Sequence, residues 1–494
     1  MTERSLIMTH FSPRKAGFFF LAVLFLCGNF AVFGQAPRRL TPDEAVEMTI
    51  KNNLHLESAR LALDMKKRKA DLVWNEFLPS AVVTGTLSRP NSAGSASGTA
   101  PAVLLNPFFP SLPSGTPDFY GVVPYSMTLP QWNVIGNFST ELTFSFALIE
   151  GIKSIKQDYE AGLVGFEKVK LQMEQGVRKM YNSILLLEAN STLLNETYEN
   201  ALRQSAIAEA NFRAGLAPRL TWLQAQVAVE NMKPALYDME SGLKSLKGNF
   251  ALLLGLPYDT PLELEPVSFG DTYIPRDVQE LISRAASEKP DINELRANIV
   301  TMQTQRKALR LQAYTPFLRF AWGLQYMFNP VLDPFKDSWF TGDNWSRGGN
   351  FSVTLGWSIN SLFPFTKEGQ QRADIDAGIQ IQNIMLAQTI RETELEVFTK
   401  INSLEKIRTT KEAQKAAVDL AQESYRLTAE AYRAGLQDFQ AVQGAILALD
   451  QAKVQLLAQE FNYFNDLIDL EYAIGVPFGT LSSNKTLSSI GSEK

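Results

Sequence analysis

Imidazole and thiolate do much of the chemistry that proteins perform, and this chain has little of either. It contains two histidines, His10 and His55, and one cysteine, Cys27. A single cysteine cannot form a disulfide within the chain or build a Cys-rich zinc or iron–sulfur site. His10 leads into an N-terminal apolar stretch that contains Cys27, so a multi-histidine site is out of reach. A Ser-His-Asp triad would have to use His55. That residue sits in Leu54-His55-Leu56, a helical stretch with no catalytic partner nearby in sequence, and reads as a helix-surface histidine. No Gly-rich phosphate loop or other nucleotide motif occurs. Charged residues make up 20% of 494 positions and the formal net charge is -5, so no basic field exists to hold nucleic acid. The expectation is a protein that is not an enzyme and uses no cofactor and no metal.

The abundant residues point to architecture instead. No proline occurs between Pro130 and Pro218, or between Pro364 and Pro477. Both tracts are rich in Ala, Leu, Gln, Glu and Lys, which are good helix formers. The pattern predicts one helix from about Glu150 to Arg213. At 1.5 Å per residue its roughly 60 residues span on the order of 90 Å. Further helices are predicted from about Lys367 to Arg433 and from about Phe439 to Ala473. Charges along them exclude a path through lipid, so they must pack side by side in water, coiled-coil fashion. Pro234 lies inside the helix predicted from Arg219 to Leu254 and should kink or interrupt it.

The chain is an internal duplication. Phe212-Arg213-Ala214-Gly215-Leu216 returns as Tyr432-Arg433-Ala434-Gly435-Leu436, and Gly255-Leu256-Pro257 as Gly475-Val476-Pro477. Asn137-Phe138-Ser139 recurs as Asn350-Phe351-Ser352. One structural unit is thus built twice, with neither half closing its own core. The Ala-Gly-Leu elements end one helix and begin the next in a tight turn, with Gly as the cap.

Each half also carries two segments that alternate with a period of two. Phe138, Leu142, Phe144, Phe146 and Leu148 share one face of Asn137–Leu148. Phe351, Val353, Leu355, Trp357 and Ile359 share one face of Phe351–Asn360. Leu318, Phe320, Trp322, Leu324, Tyr326 and Phe328 do so in Phe317–Phe328, and Ala81–Ser88 is the weakest of the four. Such segments suit membrane β-strands with an apolar face outward; a soluble strand buried on one side is the other reading. Four strands cannot close a barrel, and open edges in lipid leave N–H and C=O groups unpaired. If the strands lie in a membrane, copies must pool them. Arg89–Gln131 and Asn329–Gly349 read as the exposed loops between strands.

The N-terminus has the order of an export leader: Arg4, Arg14 and Lys15, an apolar run from Ala16 to Phe33, then a polar turn. Cleavage after Gly34 is the expectation, beside a retained anchor or a lipidated Cys27.

This whole-chain order of leader, helix, strand, loop, strand, long helix, Gly turn and helix, repeated once, resembles the TolC-like outer-membrane efflux proteins over roughly Leu40 to Pro477. The resemblance implies an α+β fold, mostly α. A long α-helical coiled-coil barrel would be joined to four transmembrane β-strands per protomer, in a β-barrel shared by a homotrimer. The expected divisions are leader 1–34, first repeat 35–256, inter-repeat segment 257–290, second repeat 275–477 and polar tail 478–494. The implied function is a passive exit duct of a tripartite efflux or type I secretion system, in the outer membrane and spanning the periplasm. Its partners would be a periplasmic adaptor, an inner-membrane pump of RND or ABC type, and outer-membrane lipid. Phe138, Leu142, Phe144, Phe146, Phe320, Trp322, Leu324, Phe351, Val353, Leu355 and Trp357 would face lipid. Adaptor docking would fall on Ala214, Gly215, Leu216, Ala434, Gly435 and Leu436.

The resemblance also implies a gate at the periplasmic tip. In the best-known member of that family a Tyr near the second turn is followed by an Arg five residues on and by Asp residues nine and twelve on. Here Tyr432 keeps the first place, but Gln437, Ala441 and Gly444 hold the others, and Thr221 and Gln224 hold the matching places of the first repeat. Closure is then expected from other contacts, with Arg219, Trp222, Asp438 and Phe439 as candidates. Simple hairpin packing accounts for the same residues. A secreted or lipid-anchored coiled-coil scaffold is the alternative function.

Overall fold

The structure, a computed structural model, describes residues 38–89, 91, 95–101, 122–128, 133–266, 277–328 and 345–481. The leader, Cys27, much of both inter-strand loops, part of the inter-repeat segment and most of the tail fall outside these residues. In chain order the elements are β1 (Arg38–Leu40), α1 (Pro42–Asn52), α2 (Leu54–Asp71), β2 (Ser80–Ser88), β3 (Ser95–Pro101), β4 (Val122–Thr128) and β5 (Asn133–Ser145). There follow α3 (Phe146–Arg213), α4 (Arg219–Leu253), β6 (Leu262–Leu264), α5 (Val278–Glu288), α6 (Pro290–Tyr314), β7 (Phe317–Phe328), β8 (Trp345–Gly356), α7 (Lys367–Arg433) and α8 (Phe439–Ala473).

The described residues form two compact units, and each draws on both sequence repeats. One holds 38–53, 176–266 and 409–465; the other holds 54–175, 277–408 and 466–481.

In the first unit, β1 pairs in parallel with β6. Thr41 starts α1 with a reciprocal cap: its side chain takes the Glu44 N–H and the Glu44 carboxylate takes the Thr41 N–H. The core packs Leu40, Val46, Val177, Ile184, Phe250, Leu254 and Leu262 with Phe461 from the second repeat. Tyr181 is fully buried among them, and its hydroxyl lies 2.8 Å from the Leu40 carbonyl and 2.7 Å from that of Glu265. Burial pushes its pKa up to about 12, against the opposing hydrogen bond at Glu265. Tyr181→Phe should therefore destabilise the unit by about 1 kcal/mol, since it removes the hydroxyl donor shared by the Leu40 and Glu265 carbonyls, of which the Leu40 carbonyl keeps the Glu265 N–H. A fall in the urea midpoint checks this.

The second unit is braced by part-buried ionic clusters. Lys168 Nζ reaches Asp291 at 3.0 Å and Glu294 at 2.8 Å, while the Tyr472 hydroxyl donates to Asp291 at 2.9 Å. Lys400 holds both Asp466 and Asp469 at 2.7 Å, Ser403 donates to Asp466, and Gln175 donates to Asp469. Burial alone would lower both lysine pKa values, but hydrogen bonds to these carboxylates raise them instead. Both clusters join helices far apart in sequence.

Helix ends repeat with the sequence. Gly215, Gly255, Gly435 and Gly475 all have positive φ, from 66 to 75°. At each, the next residue's N–H reaches back five positions to a carbonyl: Leu216 to Asn211, Leu256 to Ala251, Leu436 to Ala431, Val476 to Glu471. The glycine N–H bonds the carbonyl three positions back, which completes a Schellman cap. The four caps differ in their surroundings. Gly215 and Gly435 have open space where a Cβ would go, whereas Gly255 abuts the Asn52 backbone and Gly475 the Glu288 backbone.

Four expectations are corrected. Helix α4 runs on through Pro234, so the interruption expected as one of two outcomes there does not occur; long helical stretches on both sides carry the lost N–H. Phe146 and Leu148 belong to α3, not to a strand, because the Ser145 hydroxyl takes the Leu148 N–H at 3.3 Å and starts the helix. Trp357 and Ile359 lie beyond the end of β8. The segment between β2 and β5 is no plain loop: β3 and β4 pair within it as an antiparallel hairpin.

Candidate functional site

Strands β2, β5, β7 and β8 form one antiparallel sheet in the order β2-β5-β7-β8. Directly paired residues share a face. Register therefore sorts the sheet without reference to exposure: Val83 pairs Phe138, Phe138 pairs Leu324, Leu142 pairs Phe320, Phe320 pairs Val353, Trp322 pairs Phe351 and Leu318 pairs Leu355. All these apolar side chains fall on one side. Phe351, Val353 and Leu355 are largely exposed there, and Phe138 meets Trp322 edge to face at 5.5 Å. Nine of the eleven lipid-face candidates, Phe144 included, thus lie on a common face of the sheet, and Phe146 and Trp357 lie just past strand ends. The Trp357 indole N–H donates to the Ala313 carbonyl at 3.0 Å.

The other face carries Ser80, Thr84, Thr86, Asn137, Ser139, Thr143, Gln325, Asn350, Ser352 and Thr354, with Gly323 and the apolar Val82, Ile135, Phe317, Ala321 and Met327 among them. Glu141 and Arg319 join across it at 2.9 Å. A sheet largely apolar on one face and rich in hydroxyls and amides on the reverse suits a wall between hydrocarbon and water. Among the described residues β2 and β8 each have one strand neighbour, so the sheet has two open edges. No described helix is long and apolar enough to cross a membrane.

The two helix–turn–helix tips form a second constellation. Leu216 and Leu436 project from their capped turns at 79% and 78% exposure. In the first tip Phe212 stacks flat on Trp222 at 5.5 Å. In the second, Tyr432 leans on Phe439 at 6.0 Å, and Phe439 is buried with Ala208 and Ala225. The Tyr432 hydroxyl is buried and has no hydrogen-bond partner among the described residues, and burial raises its pKa. Asp438 caps α8 by taking the Ala441 N–H at 2.8 Å. Arg219 opens α4 at the surface and Thr221 donates its N–H to the Pro218 carbonyl at 3.1 Å. Gln224, Gln437 and Gly444 are exposed. The aromatic candidates Trp222, Tyr432 and Phe439 are thus packed, while Asp438 serves a backbone cap. Sequence reading overlooked Phe212, whose signal was its position equivalent to Tyr432.

The family model described as outer membrane efflux protein matches residues 45–255 and 281–476. The chain belongs to that family. No curated protein sequence matches it. Among solved structures, the efflux protein is similar to the Campylobacter jejuni CmeC outer membrane channel (TM-score 0.68, 15% identity, 91% of this chain and 90% of that one). It is similar to the Vibrio cholerae outer membrane protein VceC at TM-score 0.65 and 15% identity, covering 88% and 96% of the two chains. The open state of the Neisseria gonorrhoeae MtrE outer membrane channel follows at TM-score 0.60 and 14% identity, covering 88% and 89%. At these identities the likeness is one of fold. The protein is an outer-membrane efflux channel of the TolC-like fold, with long helices and a β-barrel.

Proposed function

We propose that this efflux protein is the passive exit duct of a tripartite or type I export system, assembled as a homotrimer. The observation that carries the reading is the sheet: a lipid-compatible face, a water-compatible face and two open edges. Unpaired N–H and C=O groups along an edge cost several kcal/mol each in hydrocarbon. Strands β2 and β8 run in opposite directions, so β8 of one copy can pair antiparallel with β2 of the next and continue the alternation. Three copies give twelve strands, an even number that leaves a central passage. Energy comes from an inner-membrane pump, since the chain has no nucleotide motif.

The exposed Leu216 and Leu436 turns are the surfaces for a periplasmic adaptor. Cysteines at Ala217 and Gln437 should capture it, and cross-links confined to strand ends would contradict this. The aromatic packing at Phe212, Trp222, Tyr432 and Phe439 supports a tip held by apolar contact rather than by a guanidinium lock. Its aperture should show little charge preference, and strong block of single-channel current by trivalent cations would refute that. The assembly itself is tested on detergent-extracted protein. A mass of three chains with pores in planar lipid films is expected; a monomer that forms no pores overturns the duct.

A further inference from the structure

The water-compatible face of the sheet is almost uncharged. Register places Ser, Thr, Asn, Gln, Gly and a few apolar residues along it, and among the described residues only Glu141 and Arg319 bring charge to that face. The other charged side chain of the four strands, Arg347, lies on the apolar face with its guanidinium 6.0 Å from the Tyr326 ring centre.

Glu141 and Arg319 are not directly opposite. Glu141 pairs with Ala321 and Arg319 with Thr143, so the two reach each other diagonally. The Arg319 Nε donates to the Glu141 Oε1 at 2.9 Å. The same carboxylate oxygen takes the Thr143 hydroxyl at 3.4 Å, and the guanidinium stands 5.7 Å from the Phe317 ring centre. Both side chains remain nearly half exposed, at 44% and 47%, so an exposed pair of this kind adds little to stability. A sheet needs no ion pair on a wet face, where serine or threonine would serve. What the pair does supply is cancellation: two opposite charges at one level of the passage, a few residues from the strand–helix junction.

We infer that Glu141 and Arg319 together set the charge selectivity of the barrel end of the duct, by forming a neutral ring at which anionic and cationic cargo meet the same barrier. The inference rests on the barrel reading above. In a narrow passage with low-dielectric walls, an unbalanced ring of like charges concentrates one sign of ion and repels the other. Removing one partner exposes the other as such a ring, three charges strong in a trimer.

The experiment measures reversal potentials of single pores in planar lipid films under a potassium chloride gradient. Glu141→Gln should shift the pore toward anions and Arg319→Gln toward cations, each by about twofold or more in the permeability ratio. The double variant E141Q/R319Q and the swap E141R/R319E should both return to the unmodified value, which also shows that lost folding is not the cause. If pores form and the single variants leave the reversal potential unchanged, or shift it in the same direction, the neutral ring is overturned. If the unmodified protein forms no pores at all, the duct reading fails instead.

Discussion

Phe351→Arg should nearly abolish folded protein in the outer membrane, while Ser352→Arg, one residue along the same strand, should leave it folded. Phe351 stands mid-strand on the apolar face, paired with Trp322 and 68% exposed. An arginine near the bilayer midplane of a barrel costs about 2–4 kcal/mol, and a symmetric assembly repeats that cost in each copy. Ser352 pairs with Ala321 on the opposite face, where in the proposed duct a guanidinium would meet water. Quantifying folded protein in outer-membrane fractions, with urea midpoints on the purified forms, separates the two. Equal damage at both positions would mean that the two faces are not assigned as the register has them. A one-residue slip would instead reverse the pattern, because the side-chain period is two.

Gly255→Ala and Gly475→Ala should be far more damaging than Gly215→Ala and Gly435→Ala, although all four glycines close the same kind of cap. Every alanine there adopts a left-handed backbone at about 1–2 kcal/mol. At the two tips that is the whole cost, because nothing lies within 4 Å of the added methyl. At Gly255 the methyl would sit 2.5 Å from the Asn52 carbonyl oxygen, and at Gly475 it would sit 2.7 Å from that of Glu288. These are backbone atoms at the ends of α1 and α5. Asn52 cannot retreat freely, because the neighbouring Asn53 amide donates to the Leu253 carbonyl at 2.8 Å. The expected loss at these two sites is about 3–5 kcal/mol, the range of severe backbone and packing defects. Denaturant midpoints of the four single variants decide it, and four equal values would show that conformation alone matters.

Helix boundaries were the most legible part of this chain. Lys367–Arg433 and Phe439–Ala473 follow from composition and from Gly435 and Gly475, because a Schellman cap leaves a glycine in the sequence and good helix formers fill the rest. Strand faces were legible through their period of two, but strand ends were not. Phe146-Ala147-Leu148 continues the alternation of β5 by accident, and only the Ser145 cap turns it helical. At the other end, Gly136 interrupts the pattern, although β5 runs on to Asn133 because β2 and β7 both pair with it there. Strands β1 and β6, three residues each, are too short to carry a period and form because Tyr181 and the surrounding core hold them. The ionic clusters left no local trace: Lys168 finds Glu294 and Lys400 finds Asp466 only after the helices pack. At the tips, the missing Arg and Asp positions were plain to read, but the flat Phe212–Trp222 stack was not, since stacking depends on the path of the turn.

The interleaving of the two repeats has a consequence for how the protein is made. Strand β5 waits for β7, whose Phe317 joins Ser145 only after another 171 intervening residues have been exported, and the core around Tyr181 waits for Phe461 near the far end of the chain. Until those segments follow, the emerging polypeptide carries a β5 edge and a Tyr181 core that lack their partners. A chain arrested before Phe317 should therefore hold β5 without its β7 partner, and the sheet should form only once the second repeat has followed.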